Sequence, residues 1–186
     1  MLKNILFWQP KKDYLRFLIN YSFGHQLILI INYSLWPFLF LVCYILIKTD
    51  FNVFWQIATA TILTEIFEKI SKKNFFWKRP LYAKKDSLPT GLHKAWYTGG
   101  SFPSGHCTRA IYFLLLITQY GHFSPILYIA FILPLLVFRV IIGFHYPIDM
   151  LGGVVVGFVA WLATHNLVFP DILVNLIKNI FTWLKI

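Results

Sequence analysis

The stretch Ser101-Phe-Pro-Ser-Gly-His106 stands directly before a hydrophobic run. Pro103 fixes its own φ and biases Phe102 towards extended backbone. Ser104 can cap a helix start, and Gly105 lets backbone N–H groups approach a ligand with no Cβ in the way. A helix N-terminus with unsatisfied N–H groups attracts anions, and His106 adds a titratable imidazole there. Alone, the stretch reads equally well as an ordinary helix cap. Two others separate these readings, Lys72 to Pro80 upstream and Arg139 to Asp149 downstream.

The chain around it has 186 residues, 58% hydrophobic and only 13% charged, with several runs of spanning length. That is too apolar for a soluble domain of this size and predicts one polytopic membrane domain over 1–186. The expected fold is an all-α membrane helical bundle of five spans, with amphipathic N- and C-terminal helices. Residues 26–47 form the first span, a 22-residue apolar run about 33 Å long as a helix. The second covers 51–70, and the third runs from the Pro-Ser-Gly-His turn to Tyr120. The fourth covers 124–142 and the fifth 147–169. Gly153 and Gly157 form a small-xxx-small pair suited to close helix packing.

Residues 1–24 interleave Lys11, Lys12 and Arg16 with Tyr14, Leu15, Phe17 and Leu18, the pattern of an interfacial or partly inserted helix. Residues 171–186 put Ile172, Leu173, Leu176, Ile177 and Ile180 on one face, again interfacial. Glu65, Glu68, Lys69 and Lys72 end the second span at helical spacing. They form i,i+4 ion pairs or snorkel into water, as Arg109 can. Residues 73–102 hold Pro80, Pro89, Gly91, Gly99 and Gly100, hence a long loop, and a loop this long is usually functional. Trp77, Trp96 and Tyr97 there fit interfacial anchoring. Cys43 and Cys107 have neither disulfide-framework nor metal-ligand spacing. His25, His93, His122 and His165 have no chemical partner in sequence and read as packing or interfacial residues.

The charge balance is 17 Lys+Arg against 7 Asp+Glu, a formal +10, and eight of the cations lie between Lys69 and Lys94. No basic soluble module exists to hold nucleic acid, so the cluster points to a local anionic target. On five spans, Lys72, Arg79, Ser104, Gly105, His106, Arg139, His145 and Asp149 fall on one membrane side. Ionisable groups at such depths are costly, so convergence suggests function. The set suits phosphoryl transfer. Lys72, Arg79 and Arg139 neutralise a phosphate, and the N–H groups of Ser104 to His106 complete a cradle. One imidazole attacks phosphorus, the other protonates the leaving oxygen, and Asp149 orients the attacking His145. No carboxylate cluster exists for Mg²⁺, so no metal or cofactor is expected and the cations serve as charge stabilisers.

Lys72-x6-Arg79-Pro80, Pro103-Ser-Gly-His106 and Arg139-x5-His145-x3-Asp149 resemble the three-part signature of the type 2 phosphatidic acid phosphatase superfamily, over roughly residues 50–165. The resemblance implies His145 as nucleophile forming a phosphohistidine, His106 as general acid and Asp149 as orienter. It implies Lys72, Arg79, Ser104, Gly105 and Arg139 as phosphate binders. Phe138 stands where that family usually has Ser, removing one phosphate hydrogen bond. The family commonly has six spans, with residues 1–24 here in place of the first. The implied activity is metal-independent hydrolysis of a lipid phosphomonoester or diphosphate. Undecaprenyl diphosphate, phosphatidylglycerophosphate, phosphatidic acid and lipid A 1-phosphate are the candidates. A lipid-to-lipid phosphotransferase shares the site, and a non-catalytic anionic-lipid binder keeps the basic loop, although binding alone needs no nucleophile with an orienter. The expected partners are the lipid substrate and the bilayer, with no obligate protein partner evident. The positive-inside rule would make the basic loop cytoplasmic, but its charges have a catalytic reason to exist. The family's bacterial lipid phosphatases mostly face the periplasm, so the plasma membrane with an outward-facing site is expected.

Overall fold

The computed structural model describes residues 2–9, 22–74, 77–80 and 100–184. Among them are seven helices: α1 (Leu2–Leu6), α2 (Ser22–Thr49), α3 (Asn52–Asn74), α4 (Gly105–Tyr120), α5 (Pro125–Ile141), α6 (Pro147–Thr164) and α7 (Asp171–Trp183). The only β pairing among these residues is an isolated antiparallel bridge between Lys78 and Gly100. The all-helical expectation is met. The first long helix starts at Ser22, so residues 22–24 belong to it and not to an N-terminal interfacial segment. Lys73 and Asn74 likewise close α3 instead of opening the loop. Most of that loop, with Trp96 and Tyr97, and the basic stretch Lys11 to Arg16 lie outside the described residues.

Two segments are long and apolar enough to cross a membrane, Leu29–Thr49 and Pro147–Thr164. Pro125–Ile141 is apolar but shorter. The second half of α3 carries Glu65, Glu68, Lys69, Lys72 and Lys73, and α4 carries Arg109. Glu65, Glu68, Lys72 and Arg109 belong to the site below, Lys69 and Lys73 are exposed, and together these charges lower the apolarity of both helices.

The core lies between α2, α3, α4 and α6, around Leu39, Val42, Leu46, Ala60, Leu116 and Ile117. Buried polar groups there are paired. Tyr128 donates to the Ala110 carbonyl at 2.9 Å, and the Tyr112 hydroxyl lies 3.2 Å from Thr164 Oγ1. α4 and α6 pack most closely, and the predicted glycine pair explains it. A Cβ on Gly153 would lie 2.8 Å from the Ser104 carbonyl oxygen, and one on Gly157 2.5 Å from that of Thr108. Only hydrogen at both positions lets the two helix starts lie side by side.

The opposite end of the bundle is tied by side chains. Asn52 donates to the Leu167 carbonyl at 2.8 Å and accepts from Phe169 N–H at 2.9 Å. α7 docks there through buried Ile177 and through Phe181 against Tyr44 and Phe51, while Ile172, Leu176, Ile180 and Trp183 stay exposed. That leaves the C-terminal ends of α3 and α5 and the N-terminal ends of α4 and α6 together at the other end.

Candidate active site

Asp149 occupies the third position of α6 and is fully buried. Its carboxylate accepts three hydrogen bonds: from Tyr146 N–H at 2.7 Å, Ser101 Oγ at 2.5 Å and Trp77 Nε1 at 2.9 Å. Three donors around a buried carboxylate compensate much of its desolvation. Phe7 of the N-terminal segment packs edge-on to Trp77 and Tyr146, and Gln9 Nε2 donates to the Tyr146 hydroxyl at 3.2 Å.

His145 follows a tight turn after α5. Gly143 adopts φ 75°, in the left-handed region that glycine tolerates without a Cβ clash. The turn folds Phe144 N–H back onto the Arg139 carbonyl at 3.0 Å, with His145 N–H 3.4 Å from the same oxygen. The Arg139-x5-His145 spacing is thus one chain reversal that sets the imidazole beside the guanidinium's helix end. His145 Nδ1 lies 3.0 Å from the Ser101 carbonyl oxygen and 3.5 Å from Asp149 Oδ2. A carbonyl can only accept, so Nδ1 carries the proton and Nε2 keeps its lone pair. The nearer orienting atom is therefore the Ser101 backbone oxygen, and Asp149 stands just behind it, holding Ser101 through its hydroxyl. Burial, then the charges of Arg79, Arg139 and Lys72, push the His145 imidazole well below the usual histidine range, against the Ser101 carbonyl bond.

A cavity of about 270 Å³ gathers Lys72, Arg79, Gly105, His106, Arg139 and His145, with Asn32, Glu65, Glu68, Arg109 and Phe144. Six of the eight residues singled out in sequence therefore share one space; Ser104 and Asp149 lie behind its lining. Arg79 Nη1 donates to the Phe144 carbonyl at 3.3 Å. Arg139 is buried, bonds Asn32 Oδ1 and sits over the Phe144 ring. Lys72 Nζ is held by Glu68 at 2.7 Å. His106 Nε2 is buried without a hydrogen-bond partner among the described residues.

Two readings of the Pro-Ser-Gly-His stretch change. The Ser104 N–H donates to the Asp149 carbonyl at 3.0 Å, so that group is not available to a ligand and drops out of the expected backbone cradle. Ser104 is the N-cap residue of α4, yet its side chain makes no capping bond, and its buried Oγ has no partner among the described residues. The acidic residues change too. Glu68 is buried rather than snorkelling, and Glu65 pairs with Arg109 of α4. Arg109 also reaches Glu68 at 3.4 Å and lies over the Trp36 ring, so it is part of the site and not a helix-end cation.

A second cavity, also about 270 Å³, adjoins the first between α2, α3 and α4. It is lined by Trp36, Leu39, Phe40, Ile57, Ala60 and Phe113 among others, and shares Glu65 and Arg109 with the polar one. A cationic, histidine-bearing pocket thus opens beside an apolar one.

A family model described as the PAP2 superfamily matches residues 53–173, well over half of the chain. Neither the curated proteins nor the solved structures contain a match.

Proposed function

The chain belongs to the PAP2 superfamily, whose members are phosphatases acting on phosphate esters, and from that premise we propose that it hydrolyses a lipid phosphomonoester or diphosphate through a phosphohistidine at His145. The observation that carries the lipid reading is the junction of the polar and apolar cavities at Glu65 and Arg109. A phosphorylated head fits the first and its hydrocarbon chain the second.

Arg79, Arg139 and Lys72 hold the phosphoryl oxygens, with the Gly105 and His106 N–H groups at the start of α4 completing the cradle. Nε2 of His145 attacks phosphorus while the Ser101 carbonyl fixes its Nδ1–H. As the P–O bond to the lipid breaks, His106 donates a proton to the leaving oxygen. Water then attacks the phosphohistidine, His106 takes its proton, and phosphate and His145 are released. Asp149 holds Ser101 and the α6 start in place.

This reading embeds α2 to α6 as five spans. The exposed apolar side chains Ile62, Ile66, Phe67 and Ile70 of α3, Ile126 and Leu133 of α5, and Val155 and Val159 of α6 support it, because lipid tails would cover them. The site end then lies at the membrane surface, which we assign to the outer face of a bacterial plasma membrane. Purified protein is expected to release phosphate from at least one of undecaprenyl diphosphate, phosphatidylglycerophosphate, phosphatidic acid and lipid A 1-phosphate, with the rate retained in EDTA. No release across the panel, or loss on chelation restored by Mg²⁺, contradicts the reading.

The electrostatics of His145 give a pH test. A neutral imidazole attacks without first losing a proton. Removing a neighbouring positive charge makes protonation easier, so Arg79→Gln should move the acidic limb of kcat/KM to higher pH. With p-nitrophenyl phosphate, the substrate's own ionisation is common to both proteins and cancels. A limb that stays in place or moves to lower pH refutes the assignment of His145 as the titrating base.

A further inference from the structure

Glu68 is unexpected in a site for anions. It is 5% exposed and sits one helical turn before Lys72. Its carboxylate touches two cations of the cavity, Lys72 Nζ at 2.7 Å and Arg109 Nη1 at 3.4 Å. It also packs against Gly105, where a Cβ would overlap both of its oxygens. Gly105 opens α4, so the carboxylate lies at the positive end of that helix. A lysine, an arginine and a helix N-terminus around one anion are the surroundings a phosphoryl group would seek here. Part-buried cations without a counter-ion are costly, and Glu68 supplies one for both Lys72 and Arg109.

We propose that Glu68 is a displaceable internal anion that occupies part of the phosphoryl cradle, leaves Lys72 when the substrate's phosphoryl group arrives, and returns as inorganic phosphate departs. The proposal rests on the reading above that Lys72 binds the phosphoryl group. A dianionic phosphate brings more charge and more acceptor oxygens than one carboxylate, so it wins the exchange. The competition weakens its net affinity by the fraction of sites that Glu68 fills, and that same competition speeds product release. A carboxylate that merely positioned Lys72 for phosphate would have the opposite effect: its loss would weaken phosphate binding.

The sign of one change therefore tests the idea. Full-length wild type and Glu68→Gln are compared by vanadate and inorganic phosphate inhibition of p-nitrophenyl phosphate hydrolysis, and by the thermal shift that each anion produces. Glu68→Gln should lower both inhibition constants about tenfold or more and enlarge the shifts. Glu68→Asp keeps a charge for folding but shortens its reach; it should move both constants the same way by a smaller factor, which covers a Gln variant that fails to accumulate. In Glu68→Gln/Lys72→Met the gain over Lys72→Met alone should shrink, because the nearer of the two contested cations is gone and only Arg109 remains. Weaker or unchanged inhibition in an active Glu68→Gln or Glu68→Asp protein overturns the internal-anion role and leaves the phosphatase reading standing. A wild type that neither hydrolyses phosphate esters nor binds vanadate overturns both.

Discussion

Replacing His145 with alanine is expected to lower kcat by on the order of 10⁴-fold or more on every phosphate ester, with the fold intact. The side chain is buried at the end of a turn whose geometry comes from Gly143 and the Arg139 carbonyl, not from the imidazole. Its removal takes away the proposed nucleophile and leaves the cations in place. Vanadate or phosphate should therefore still stabilise His145→Ala against thermal unfolding, through Arg79, Arg139 and Lys72. Substantial residual turnover in the variant would remove His145 from the nucleophilic role.

Asp149→Ala should be the most damaging single change for stability and activity together. The carboxylate satisfies Tyr146 N–H, the Ser101 hydroxyl and Trp77 Nε1 in a fully buried place. Leaving a buried donor unsatisfied costs roughly 1–3 kcal/mol, so losing this acceptor should cost about 3 kcal/mol or more of folding stability. Activity should fall about 10³-fold, because Ser101 is no longer held where its carbonyl fixes the His145 tautomer. Thermal unfolding and kcat on p-nitrophenyl phosphate check both parts. A variant within 1 °C of wild type in Tm would contradict the three-donor account. Trp77→Phe removes only one donor and should be milder in both measures.

Those two residues were legible in sequence because their spacing is local. Asp149 falls in the first turn of α6, and Arg139 and His145 are the two ends of one chain reversal. Lys72 and Pro103 to His106 likewise sit at helix ends, where breakers and polar residues mark position. The atom nearest His145 Nδ1 was not legible, because it is the backbone oxygen of Ser101, which every residue type carries. Trp77 read as a membrane-surface anchor, since an indole N–H gives no sign of whether it meets water or a buried carboxylate. Glu65, Glu68 and Arg109 read as helix-end charges because their helical rotation is fixed only by packing. Once Gly153 and Gly157 seat α4 against α6, Arg109 comes to face α3, Glu68 is buried against it and Glu65 pairs with it from the half-exposed edge. The same charges separate the expected spans from the observed hydropathy. α3 carries the acidic and basic side chains of the site in its second half, and α4 and α5 are shorter, so length and apolarity alone single out Leu29–Thr49 and Pro147–Thr164.

Rapid-quench trapping of the phosphoenzyme tests the central claim that the phosphoryl group passes through His145. Wild type and the two histidine variants are mixed with an activated ³²P-labelled substrate such as p-nitrophenyl phosphate, quenched in base, where phosphohistidine persists, and mapped by peptide. The leaving group needs little protonation, so His106→Ala should still accumulate label, on the peptide that contains His145. His145→Ala should accumulate none. Label retained in His145→Ala, or none in His106→Ala under the same conditions, would contradict the assignment of nucleophile and acid.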